Sequence, residues 1–148
     1  MDHFRTQYEK YYDQDEYYWG LEPAAFLDEL IEIMGDVHGL KALDIGCGEG
    51  KDIVYLAEKG FDAYGFDITE SGIKKTRLLA NKRNVNVHAF VADVNDFEIE
   101  ESFDLAYSTG TIQYLFDDNM NLQNHFFLGD QEEIKRKMES VANQGKAK

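Results

Sequence analysis

The sequence has little cysteine, little proline and a shortage of positive charge. Its 148 residues include one cysteine and one proline, and 15 basic residues against 29 acidic ones give a net charge of −14. A single cysteine excludes an internal disulfide framework and predicts a reducing, cytoplasmic location. The acidic balance disfavours nucleic acid and anionic membranes as partners, so we expect a small-molecule partner.

Long apolar runs are also lacking. No run approaches the roughly 20 residues that span a bilayer, and the first residues are charged and aromatic, without a signal-peptide core. The four histidines show no metal-ligand spacing, so we expect no metal site. The chain length predicts a single domain over residues 1–148.

Apolar periodicity predicts strands that alternate with helices. We expect strands at 41–45, 61–66, 85–91 and 103–107, and helices at 23–34, 52–59 and from Thr69 or Ser71 to about Lys82. This alternation implies an α/β fold with a Rossmann-like, doubly wound, mostly parallel sheet of about four strands and flanking helices. The basic residues of the third helix are expected on a solvated face: Lys74, Lys75, Arg77, Lys82 and Arg83.

Two terminal segments flank this core. Residues 1–22 form an N-terminal segment rich in aromatic residues, part of which has helical spacing. Residues 116–148 form a C-terminal segment that is expected to be helical. Asp130 and Glu133 have the spacing of a capping box at the start of a helix over 130–141.

A glycine-rich turn follows the first strand, in the stretch LDIGCGEG at residues 43–50. Glycine allows positive φ and lets a ligand approach the backbone closely, and the following helix presents free N–H groups and its positive dipole end. The turn therefore predicts a nucleotide site. Cys47 is expected to be a small turn residue and not a nucleophile, because no Cys–His pair is evident.

Polar residues follow the other three strands. Asp67 follows the second, Asp93 the third, and Ser108 and Thr109 the fourth, which is where ligands bind in doubly wound sheets. Asp67 can accept hydrogen bonds from both hydroxyls of a ribose, and Asp93 from the amine of adenine, so the pair describes an adenosine. The alternative to ligand binding is a structural role for each residue: Asp67 at the start of the following helix, and Asp93 in a turn.

A dinucleotide is the competing ligand. Its fingerprint G-x-G-x-x-G needs a third small residue, but here Gly46 and Gly48 are followed by Lys51 at that place. Glu49 also puts negative charge beside the turn, which disfavours a pyrophosphate. A ligand with a cationic sulfonium and an amino-acid tail fits better, and a fragment of an NAD-dependent oxidoreductase stays as an alternative.

Over about residues 19–115 the chain resembles the class I S-adenosylmethionine-dependent methyltransferases. The matching motifs are LDIGCGEG at 43–50, GFDIT at 65–69, ADV at 92–94 and FDLAYSTGTIQYL at 103–115. The W-G-x-x-P element at Trp19-Gly20-Pro23 is similar to that of small-molecule methyltransferases of the tellurite-resistance and thiopurine type.

The resemblance implies S-adenosylmethionine as cofactor, with S-adenosylhomocysteine as product, and ten residues that bind it. These are Trp19, Asp44, Gly46, Cys47, Gly48, Asp67, Ile68, Asp93, Val94 and Ser108. Asp44 and the backbone of the turn would hold the methionine end and the ribose, and Ser108 would line the methionine end. Asp67 would accept from the ribose hydroxyls, while Ile68, Asp93 and Val94 would contact the adenine. Trp19 would close over the sulfonium, whose charge an aromatic face favours; the N-terminal aromatics as ordinary core are the alternative.

The implied reaction is in-line methyl transfer to a small-molecule acceptor, accelerated mainly by positioning and exclusion of water. No catalytic base is identified, and Tyr107, Tyr114 and His125 are candidate groups on the acceptor side. The family has seven strands in the order 3-2-1-4-5-7-6, whereas this sequence contains patterns for four. We therefore expect an unpaired edge at strand four, which a homodimer would cover. A non-catalytic adenosyl-binding or dimerising module is the alternative from another class.

Overall fold

The computed structural model describes residues 2–111 of the chain. Four parallel strands in this part form one sheet with the order β3-β2-β1-β4. They are β1 Lys41–Ile45, β2 Asp62–Asp67, β3 Val87–Val91 and β4 Leu105–Tyr107. The predicted Rossmann-like parallel sheet is confirmed, and its strand order reverses beside β1. The C-terminal segment 116–148, with its expected helix, lies outside the described residues.

Within residues 2–111, four helices accompany the sheet: α1 Asp2–Tyr12, α2 Phe26–Met34, α3 Lys51–Glu58 and α4 Glu70–Lys82. The predicted end of α2 at Gly35 is confirmed, with φ 79. Thr69 is the N-cap of α4, because its Oγ1 accepts from Gly72 N at 3.2 Å. The helix predicted from Pro23 begins at Phe26 instead. The chain before it is bound to α3, because Ala24 N donates to Asp52 Oδ1 at 2.8 Å.

The core lies on both faces of the sheet and centres on β1. Leu43 and Phe66 are fully buried in the sheet, and Ile53, Leu56 and Ile73 are buried on the helices that cover it. Burying a side chain of this size contributes about 1.5–3 kcal/mol. The core therefore fixes the carboxyl ends of β1 and β2 side by side.

The entry into α3 depends on Gly50, whose φ is 92. A Cβ at this position would lie 2.7 Å from Thr76 Cγ2 and 2.9 Å from Thr76 Cα. Gly50→Ala is expected to lower the free energy of unfolding by roughly 2–5 kcal/mol, because left-handed strain and overpacking add together. Urea denaturation of the purified variant measures this loss.

Gly39→Ala is the matched control for Gly50→Ala. Gly39 has φ 79, and no heavy atom of the described part lies within 4 Å of the position that its Cβ would take. Its loss should be about 1–2 kcal/mol, from backbone strain alone. Equal losses in the two variants would show that the contact with Thr76 contributes nothing.

Candidate functional site

The turn after β1 is fastened to the end of β2 through its own backbone. Gly46 N and Cys47 N both donate to Phe66 O at 2.9 Å, and Gly48 N donates to Asp67 Oδ2 at 3.0 Å. A phosphate-binding turn aims its N–H groups at the ligand, whereas these three are committed to β2. The turn therefore presents no row of free N–H groups to a ligand.

Asp67 organises the residues around the end of β2. Its Oδ1 accepts from Thr69 N at 3.0 Å and from Thr69 Oγ1 at 2.6 Å, while Oδ2 accepts from the turn. Burial raises the pKa of Asp67, and the hydrogen bonds from Thr69 and Gly48 oppose that rise. A carboxylate has about four acceptor sites, so the three bonds leave capacity to accept from a ligand hydroxyl.

A cavity of about 500 Å³ lies at the carboxyl ends of the strands. Seven of the ten predicted residues line it: Trp19, Gly46, Cys47, Gly48, Asp67, Ile68 and Val94. The cavity is also lined by residues that the sequence analysis did not select, among them Phe4, Tyr8 and Tyr12 of α1 and Thr109 and Thr111 after β4. The fold thus brings most of the predicted residues to one place.

Asp44, Asp93 and Ser108 are the three predicted residues that do not line the cavity. Asp93 Oδ1 accepts from Asn95 N at 2.9 Å and from Asn95 Nδ2 at 3.2 Å, which is the geometry of an Asx turn. Ser108 Oγ accepts from Thr111 N at 3.3 Å. Both side chains therefore shape the loops beside the cavity, and their roles toward a cofactor stay predictions.

Asp44 lies buried in the middle of the sheet. Its residue is 2% exposed, Oδ2 accepts from Tyr107 Oη at 2.9 Å, and among the described residues Oδ1 has no hydrogen-bond partner. Burial raises the pKa of Asp44 to about 8, against the opposing hydrogen bond from Tyr107. Burial therefore favours the protonated form of this carboxyl group, which can donate as well as accept.

Two buried carboxylates that the sequence analysis did not select fasten the N-terminal segment to the site. Glu49 Oε1 accepts from Trp19 N at 3.3 Å, and Asp52 holds the chain at Ala24. The indole Nε1 of Trp19 donates to Tyr12 Oη at 3.1 Å. These bonds keep Trp19 at the cavity although it is 56% exposed. The only feature of the sequence that pointed to these contacts was the position of two acidic residues, Glu49 and Asp52, beside a turn that is expected to be buried.

The charge of Glu49 is compensated by Lys75. Glu49 Oε2 lies 2.7 Å from Lys75 Nζ, and the side chains of Glu49 and Lys75 are 3% and 11% exposed. The same Nζ donates to Glu16 O at 2.5 Å and lies 4.9 Å from the ring centroid of Tyr17. The placement of Lys75 on a solvated face was wrong, because this side of α4 faces the turn. Because Lys75 compensates its charge, Glu49 also gives no reason to exclude a pyrophosphate.

Cys47, the free cysteine of the glycine turn, is buried. Burial raises the pKa of the Cys47 thiol well above its usual value, which disfavours the reactive thiolate. Within residues 2–111 no three His, Cys, Asp or Glu side chains are grouped for a metal ion. Within the same range no helix is long and apolar enough to cross a membrane.

The sequence pattern of a family described as a methyltransferase domain matches residues 36–147, more than half of the chain. This chain belongs to that methyltransferase family. The probable S-adenosyl-L-methionine-dependent methyltransferase TehB of Haemophilus influenzae is 31% identical over 94 residues, which cover 60% of this chain and 33% of TehB. The predicted resemblance to S-adenosylmethionine-dependent methyltransferases is confirmed.

Two further relatives agree with this assignment. The 2-heptyl-1-hydroxyquinolin-4(1H)-one methyltransferase of Mycobacteroides abscessus is 40% identical over 81 residues, 53% of this chain and 35% of that protein. The crystal structure of an S-adenosylmethionine-dependent methyltransferase from Mesorhizobium loti superposes with a TM-score of 0.55 and 30% identity, covering 66% of this chain and 45% of that one. The chain spans about a third of the length of these curated relatives.

One short match is of another class. A stretch of 33 residues, 22% of this chain, is 67% identical to the 2,3-bisphosphoglycerate-dependent phosphoglycerate mutase of Parabacteroides distasonis, of which it covers 13%. A match of this length does not carry an activity. The family assignment therefore rests on the much longer methyltransferase match.

Breaking the buried ion pair between Lys75 and Glu49 should lower the free energy of unfolding far more than breaking an exposed ion pair. Lys75→Met is expected to lower the free energy of unfolding by about 3–5 kcal/mol, because Glu49 would stay buried without its partner. Arg83→Met is the control, since it breaks a pair with Glu58 whose side chains are 39% and 34% exposed; its loss should be below about 1 kcal/mol. Similar losses in chemical denaturation would contradict this account.

Asp44 should make stability fall as pH rises. Its pKa is raised from 3.8 to about 8 in the folded chain, so folding favours the protonated form. That contribution is complete below about pH 4 and is lost as pH rises through about 8. Relative to Asp44→Asn, the wild-type free energy of unfolding should fall by roughly 1.4 kcal/mol per pH unit across this window. Denaturation curves over the window that give a constant difference would refute the assignment.

Proposed function

We propose that this chain binds S-adenosylmethionine in the cavity beside β1 and β2 and transfers its methyl group to a small-molecule acceptor. The observation that carries the proposal is the carboxylate of Asp67, joined to Gly48 N at 3.0 Å on the wall of that cavity. Membership of the methyltransferase family supports it. Because the chain spans about a third of its curated relatives, the activity itself is part of the proposal.

In this proposal each part of the cofactor meets a different strand end. Asp67 accepts from the ribose hydroxyls, for which its carboxylate has acceptor capacity left. Ile68 and Val94 line the cavity and pack on the two faces of the adenine, with Val94 N and the carboxylate of Asp93 as candidate partners of its polar edge. The methionine end lies over Gly46, Cys47 and Gly48, with Asp44 and Ser108 behind them.

The charges of the cavity suit a cationic ligand. Glu49 is paired with Lys75 at 2.7 Å, and Lys51 with Asp52 at 3.1 Å. Among the charged lining residues that the structure describes, Asp67 is then the carboxylate without a cationic partner. A sulfonium is favoured in such surroundings and also by the face of Trp19.

When bound, the cofactor supplies a methyl group on a positively charged sulfur, which becomes a neutral thioether once the group has left. The residues of this chain contribute by holding the sulfur in place and by excluding water, which are the main sources of rate in such a transfer. Tyr107 was one candidate for the acceptor side, but its hydroxyl is committed to Asp44. The other two candidates, Tyr114 and His125, lie outside the described residues.

The acceptor is proposed to be a small molecule. The relative from Mycobacteroides abscessus is named for methylation of a substituted hydroxyquinolinone, which supports acceptors of this size. The net charge of −14 disfavours nucleic acid, because phosphate backbones are repelled by an acidic surface. A cytoplasmic location is proposed from the single cysteine, and cell fractionation tests it.

A non-catalytic adenosyl-binding or dimerising module is the second candidate. Within the described residues, β4 pairs with β1 and has no strand on its other side, and such edges are usually covered. We therefore also propose a homodimer that pairs through β4, and light scattering tests it. A monomer in solution would contradict this dimer.

Replacing Asp67 should weaken cofactor binding selectively. Asp67→Asn is expected to raise the Kd for S-adenosylhomocysteine by about 10- to 100-fold, because a charged acceptor for buried hydroxyls contributes about 1.5–3 kcal/mol. Asp62→Asn is the matched control on the same strand, since Asp62 faces His88 at 3.0 Å and does not line the cavity. Calorimetry that finds the same Kd in all three proteins would exclude Asp67 as the ribose partner.

Methyl transfer separates the two candidate functions. The protein is incubated with methyl-labelled S-adenosylmethionine and a panel of thiol, selenium and tellurium acceptors, and labelled products are counted. Transfer to any of them supports the enzyme. Binding of S-adenosylhomocysteine without transfer supports a non-catalytic adenosyl-binding module. Absence of binding at about millimolar concentration contradicts both the enzyme and the adenosyl-binding module and leaves only the dimerising one.

A further inference from the structure

One face of α1 forms a wall of the cofactor cavity. Phe4, Tyr8 and Tyr12 recur every four residues and therefore share a face of the helix, and all three line the cavity. The rings of Tyr8 and Tyr12 lie 5.7 Å apart. A Cβ on Gly48 would lie 3.2 Å from Tyr12 Oη, so this wall reaches the glycine turn itself.

The helix that carries this wall is attached to α4 through Glu9. Glu9 Oε1 accepts from Glu70 N at 2.7 Å, and Oε2 accepts from Ser71 N at 3.0 Å and from Ser71 Oγ. The first N–H groups of a helix have no partner within it and attract negative charge. Thr69 Oγ1 serves the next N–H group, that of Gly72, so Glu9 completes a cap that α4 could not make from its own sequence.

We propose that Glu9 is a positioning residue for the cofactor site: by capping α4 it holds the aromatic face of α1 against the cavity. The inference rests on the proposed function, because it assigns Glu9 a role in cofactor binding. Glu9 does not line the cavity, so it acts through the helix that carries it. The helix that it caps begins three residues after Asp67, so the same helix end fixes both the wall and the ribose-binding carboxylate.

Glu9→Ala tests this role. It removes the three bonds that the Glu9 carboxylate accepts from α4. We expect the Kd for S-adenosylhomocysteine to rise about tenfold, with the α/β circular dichroism spectrum unchanged. Glu9→Gln keeps an accepting oxygen but loses the charge, and its Kd should fall between those of wild type and Glu9→Ala. Glu22→Ala, which removes an exposed glutamate of the same segment, is the control and should bind as wild type does.

A double-mutant cycle with Tyr8→Ala separates positioning from general stability. If Glu9 acts through the aromatic wall, the rise in Kd of the double variant should be smaller than the product of the rises in the two single variants. The reason is that Glu9→Ala alone already displaces the wall and with it the contact of Tyr8. Independent, multiplying effects would overturn the proposal, as would an unchanged Kd in Glu9→Ala. If wild type itself fails to bind, the proposed function fails and this inference with it.

Discussion

The carboxylate of Asp67 is the group on which the rest of the site depends. It joins the end of β2 to the glycine turn through Gly48 N and to the start of α4 through Thr69. A half-buried carboxylate is stable only where hydrogen bonds replace water, and these bonds supply that replacement. The same geometry places an acceptor on the cavity wall, which is the basis for proposing Asp67 as the ribose partner.

A second set of carboxylates attaches the N-terminal segment to this centre. Glu49 binds Trp19 N and Lys75, Asp52 binds Ala24 N, and Glu9 caps α4. Each of these groups loses hydration on burial and is compensated by a donor from a distant part of the chain. The aromatic wall of the cavity is therefore held by polar contacts, although its own surface is apolar. This arrangement is the basis of the proposed link between binding in the cavity and the docking of α1.

Local patterns in the sequence predicted the parts of the fold that local physics decides. The bounds of β1 and the cap at Thr69 were confirmed, because alternation and capping act over a few residues. The third strand was predicted from Val85 but begins at Val87, since Val85 N donates to Ala80 O in the turn after α4. The burial of Lys75 and the cap by Glu9 were missed, because their partners lie 26 and 61 residues away and leave no periodic trace.

The central claim is that the cavity takes an adenosine bearing a sulfonium and not a dinucleotide. Isothermal titration of the same protein sample with S-adenosylhomocysteine and with NAD⁺ tests it most directly. The account predicts saturable binding of S-adenosylhomocysteine and none of NAD⁺, because the N–H groups of Gly46, Cys47 and Gly48 are committed to β2 and leave no cradle for a pyrophosphate. Tighter binding of NAD⁺ than of S-adenosylhomocysteine would contradict it.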